Sequence, residues 1–79
     1  PGPETFEAAL AAPFGKSNAY PRYVRGRWWA EGGRLKAEAD GGDKSGRLLP
    51  GAGAGCLVEI PPGPGAAAGD IVRIVPLPW

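Results

Sequence analysis

The residues able to do chemistry in this 79-residue chain are few, and the densest group of them is a stripe: Tyr23, Arg25, Arg27 and Trp29. Alternate residues of an extended strand share one face, so two guanidiniums and two aromatic rings would stand in a row. A guanidinium grips phosphate and other oxyanions through forked, charge-assisted hydrogen bonds. Basic and aromatic side chains together are also how OB-fold domains clamp and stack single-stranded nucleic acid. A solvated or interface-facing strand side accounts for the same stripe. Lys44-Ser45 fails as a P-loop, because Asp43 stands where that motif requires a glycine. Gly63, Gly65 and Ala68 fit the loose G-x-G-x-x-A dinucleotide pattern, but a strand-like run (IVRIV) follows instead of the helix the motif needs, which leaves a turn. Pro61-Pro62-Gly63-Pro64 has the composition of a polyproline ligand, yet it follows a strand-like run directly and reads as its terminator. Cys56 is the single thiol and the chain has no histidine to activate it, so it reads as buried and inert.

The elements that must position these groups follow from periodicity. Arg22 to Ala30 (RYVRGRWWA) places Val24, Gly26 and Trp28 on one face and the Tyr23, Arg25, Arg27, Trp29 stripe on the other. Residues 34–40 alternate as well, with Leu35, Ala37 and Ala39 inward and Arg34, Lys36, Glu38 and Asp40 toward water. Glu31-Gly32-Gly33 between the two runs predicts a hairpin. Thr5 to Ala11 has helix-forming composition, but Phe6, Ala8 and Leu10 alternate with Thr5, Glu7 and Ala9, the period of a strand. Residues 14–19 (FGKSNA) read as a loop. Residues 41–55 read as a glycine-rich loop with room for one helical turn at Leu48-Leu49. Cys56–Ile60 and Ile71–Val75 are short β-prone runs, each ended by proline. Five strand-like runs with no long helical pattern predict an all-β fold, a small barrel or folded-over sheet of about five to six strands with glycine-rich loops. The expected core is Val24, Trp28, Leu35, Val58, Ile60, Val72 and Ile74, with Trp28 more buried than Trp29.

Composition bounds the rest. A chain this short makes a single domain, residues 1–79, that buries only roughly 60–65% of its unfolded surface. One cysteine permits no internal disulfide, and with no histidine a structural zinc site lacks its usual ligands. Fourteen glycines and ten prolines bring the chain close to disordered compositions, and the strand alternation decides for a folded domain. Nine basic and eight acidic residues give a net charge of +1, which supplies no strong field for nucleic acid or anionic lipid. No apolar stretch is long enough for a membrane span or a secretory signal. With the lone thiol, this predicts a cytoplasmic protein that binds neither nucleic acid nor membrane. The opening Pro1-Gly2-Pro3 and the lack of methionine are consistent either with a processed start or with a fragment of a longer chain, and the fragment is the favoured expectation.

Taken in order from Thr5, these features resemble the C-terminal domain, domain IV, of the MoeA/gephyrin family of molybdopterin molybdenumtransferases. The resemblance runs through TFEAALAAPF, a loop with Lys16, YPRYVRG ending in Arg-Gly, GRLKAEA, the Ser-Gly loop DKSGRLLPGAGAG, CLVEIPPG and the closing AAAGDIVRIVPL. Two positions depart from the family pattern: Gly55 stands where asparagine often precedes the CLI-type strand, and Asp43-Lys44 where Gln-Gly or similar is common. The resemblance implies one arm of an elongated homodimer, completing a cleft with the catalytic domain of the parent chain. It implies that the intact enzyme inserts molybdate into adenylylated molybdopterin with a divalent cation such as Mg²⁺. The family places the metal carboxylates and the molybdate site in the catalytic domain, so this chain alone is expected to bind no cofactor, to hold no catalytic or metal-ligating residue, and to anchor substrate through Arg25 and Ser45. A gephyrin-type module that binds protein without catalysis is the alternative, and an OB-like single-stranded nucleic-acid binder a third.

Overall fold

The computed structural model describes residues 4–40 and 53–78. Five strands account for its regular structure: β1 (Phe6–Leu10), β2 (Arg22–Glu31), β3 (Arg34–Ala39), β4 (Ala54–Ile60) and β5 (Ile71–Pro76). They close into a barrel in the order β1-β3-β2-β4-β5, and β5 returns to β1. All neighbours are antiparallel except β1 and β3, which run parallel through Ala9↔Lys36 and Leu10↔Ala37. Closure pairs each strand on both sides and removes the exposed edges that an open sheet of this size would carry.

The β2–β3 hairpin forms where the two glycines predict it. Gly32 and Gly33 have φ of 61° and 80°, the pair of positive values that a two-residue turn needs to match the strand twist. β2 is the long central strand, paired with β3 from Gly26 to Glu31 and with β4 from Arg22 to Trp28. Its inward face carries Val24, Gly26 and Trp28, and its outward face carries the stripe.

A five-stranded barrel is narrow, so its interior takes small residues interleaved with a few branched ones. Ala8, Ala37 and Ala39 sit inside with Leu10, Cys56, Val58, Ile60 and Ile74. Gly26 belongs to the same layer, where a Cβ would collide with the Glu38 carbonyl oxygen and press on Val58 Cγ2. Of the expected core, Val58, Ile60, Val72 and Ile74 are buried. Val24, Trp28 and Leu35 are only half-buried and pack against the cluster from its margin. Trp28 and Trp29 are both half-buried. Trp28 alone packs on the core, whereas the Trp29 indole N–H reaches Glu31 Oε1 at 3.1 Å on the exposed face.

Three local expectations are corrected. Phe14, read as part of a loop, is 1% exposed and among the largest fully buried side chains. Its backbone pairs in both directions with Ala66, and Asn18 pairs likewise with Gly63, so the 14–18 segment is tied to the 63–66 turn across one end of the barrel. Glu38, assigned to water, is buried at 9% exposure and engaged by a partner. β4 starts at Ala54, two residues before Cys56, because Ala54 and Gly55 still pair with Trp28 and Arg27. The proposed helical turn at Leu48-Leu49 lies outside the described residues.

Candidate substrate-anchoring site

Strand parity puts Tyr23, Arg25 and Arg27 on the outer wall, and all three are exposed. Around Arg25 the register is fixed on both flanks. Leu57 of β4 lies directly across from it, and on the other side the Asp40 amide donates to the Arg25 carbonyl at 2.8 Å. Arg25, Gly26, Arg27, Asp40, Gly53 and Gly55 together line an open cleft of ≈ 480 Å³. Its walls are mostly polar and three of its six residues are glycines, so little side-chain bulk from the described residues surrounds the arginine heads. Arg27 is already engaged by a partner. The Arg25 guanidinium has no hydrogen bond or ion pair with a described residue, which leaves its five donors for a ligand.

Ser45, the second expected anchor, lies outside the described residues, as do Asp43 and Lys44. The strand ends that flank this segment are well placed: Asp40 beside Arg25 on one side of β2, and Gly53 against Arg27 and Trp28 on the other. Asp40, Gly53 and Gly55 are site residues that sequence reading missed. The β2–β3 hairpin register brings Asp40 to Arg25, while the register of β4 against β2 sets Gly53 and Gly55 beside Arg27, and a glycine-rich connection carries no signal of that second register.

The remaining candidates resolve into structural roles. Cys56 is fully buried. Burial, with the Asp40 charge as the smaller cause, raises its thiol from 9.0 to about 11, so at neutral pH it is a protonated packing group rather than a nucleophile. Gly63 to Ala68 form a turn, in which Asp70 Oδ2 accepts the Ala67 amide at 2.9 Å before β5 begins. No helix opens from it among the described residues. Pro61 and Pro62 directly follow the end of β4. Among the described residues no group of three His, Cys, Asp or Glu side chains is placed to hold a metal ion, so these residues do not fit Mg²⁺. No helix among the described residues is long and apolar enough to cross a membrane.

Comparison with known proteins adds one finding. The family described as MoeA C-terminal region (domain IV) matches residues 7–77, which takes in β1 except its first residue, all of β2 to β5, and the Arg25 cleft. No individual curated protein and no solved structure matches significantly. With the all-β barrel in place and nearly the whole chain matched, the chain belongs to the MoeA C-terminal (domain IV) family and is a domain of the enzymes of molybdenum cofactor biosynthesis.

Proposed function

We propose that this domain anchors an oxyanion of adenylylated molybdopterin through Arg25, in an enzyme whose catalytic domain, on the same longer chain, carries out molybdenum insertion. One observation carries the reading: an exposed guanidinium, unengaged by any described residue, at the edge of a polar cleft of ≈ 480 Å³. The chemistry suits the task. A planar fork holds two oxygens of a phosphate at once. Arg25 moves no proton. It binds and orients, and Ser45 is proposed to add a hydroxyl donor to the same anion. Mg²⁺ and molybdate would be held by the catalytic domain, and the parent enzyme would act as a cytoplasmic homodimer.

The domain by itself is then a folded but inactive part. The experiment is to measure molybdenum insertion by the intact enzyme carrying Arg25→Ala, with Arg34→Ala on β3 as the control. Arg25→Ala is expected to lose most of the activity at sub-saturating substrate, and the control to retain it. Equal activity of the two variants would remove the anchoring role. Molybdenum insertion by the 79-residue chain alone would contradict the division of labour between domains.

A further inference from the structure

On the other side of Arg25 the barrel wall carries a second concavity of a different character. Thr5, Tyr23, Leu57, Glu59, Arg73 and Val75 line a cleft of ≈ 420 Å³ that is mainly apolar. Leu57 and Val75 are cross-strand partners and both are half-buried, so together they give the cleft an aliphatic side. Tyr23 is 57% exposed. Its hydroxyl donates to Glu59 Oε1 at 3.5 Å, which occupies the polar tip of the side chain and leaves the ring available. Leu57 lies directly across from Arg25, and Tyr23 is two residues from Arg25 on the same strand face, about 7 Å along it.

An exposed aromatic ring lining the same cleft as an aliphatic pair, one residue pair away from a guanidinium that no described residue engages, is a combination suited to a planar ring joined to an anion. We infer that this cleft is a ring-binding subsite contiguous with Arg25, which takes the heterocycle of a phosphate ester against Tyr23 while Arg25 takes the phosphate. This rests on the reading of Arg25 given above and adds to it the class of group held beside the anion. The size of the cleft falls within the roughly 300–1,000 Å³ of small-molecule sites. Glu59 and Thr5 at its rim supply acceptors for ring N–H groups, and Arg73 adds a second positive charge at its far side. An extended peptide fits less well. β4 is paired on both sides by β2 and β5, and β5 by β4 and β1, so this wall offers no strand edge for main-chain pairing.

The test titrates the 79-residue chain with AMP and with ribose 5-phosphate and follows backbone amide resonances. AMP should shift Tyr23, Arg25, Leu57 and Val75. Ribose 5-phosphate, which has the anion but no ring, should shift Arg25 and its neighbours and bind about fivefold or more weakly, the loss of one stacked ring. Tyr23→Ala should bring AMP down to the affinity of ribose 5-phosphate, and Tyr23→Phe should retain AMP binding. Since Tyr23 is exposed, the fold should survive; Val75→Glu, which puts a carboxylate on the aliphatic side of the cleft, checks the same point independently. If AMP and ribose 5-phosphate bind equally well and both depend on Arg25, the ring subsite is overturned and the anchoring role of Arg25 stands. If neither ligand shifts Arg25, both readings fall. A hydrophobic peptide that shifts Tyr23, Leu57 and Val75 where AMP does not would reassign the cleft to protein binding.

Discussion

Gly26 and Cys56 face one another between β2 and β4 in the tightest layer of the barrel, and each makes a claim that a single substitution can test. A methyl group on Gly26 would meet backbone, the Glu38 carbonyl oxygen, which cannot swing aside as a side chain can. Gly26→Ala should therefore destabilise the domain by about 2 kcal/mol or more, read as a lower urea midpoint with an unchanged slope. For Cys56 the sign of the pH effect follows from its raised thiol. The unfolded chain loses that proton near 9.0 and the folded chain near about 11. The stability that the neutral thiol contributes is full below the unfolded value and is lost as pH rises through the folded one. The urea midpoint of the wild type should fall between about pH 8.5 and pH 10.5 by more than that of Cys56→Ala; equal falls would show that Cys56 does not carry the effect.

At the level of strands and turns, the clearest prediction concerns the hairpin that presents β2. Gly32 and Gly33 occupy positive φ with open space around them, so the demand is conformational rather than steric. Gly33→Ala should cost about 1–2 kcal/mol, while Gly32→Asn, which tolerates the left-handed region, should cost less. Thermal melts of the two variants decide it. This hairpin was legible in the sequence because its signal is local: two glycines between two alternating runs. The faces of β2, and hence the outward position of Arg25, were legible for the same reason. The parallel β1–β3 pairing was not, since nothing in FEAAL or RLKAEA encodes which distant strand will lie alongside. Phe14 escaped notice because its neighbours Gly15, Ser17 and Asn18 are loop formers, and its burial is imposed by the pairing with Ala66 across the barrel end. Glu38 escaped because alternation assigns a face of the strand but not what covers that face.

For the whole molecule, a small barrel without disulfides has little stability in reserve. Phe14 closes one end of the core, so Phe14→Ala, at about 3–5 kcal/mol, should leave the domain largely unfolded at 25 °C by circular dichroism; a native-like melt would mean that the barrel end is not held by this ring. The same closed wall presents Arg25 at a fixed place between a polar and an apolar cleft, which is how the fold serves the function proposed for it. The most direct measurement is the equilibrium affinity of the intact enzyme for adenylylated molybdopterin, wild type against Arg25→Ala, with Arg25→Lys alongside. Loss of one charged hydrogen-bonding partner predicts binding weaker by about tenfold to a hundredfold for alanine, with partial recovery for lysine, which keeps the charge without the planar fork. Wild-type affinity in Arg25→Ala would contradict the account and leave Arg25 as a solvated surface charge.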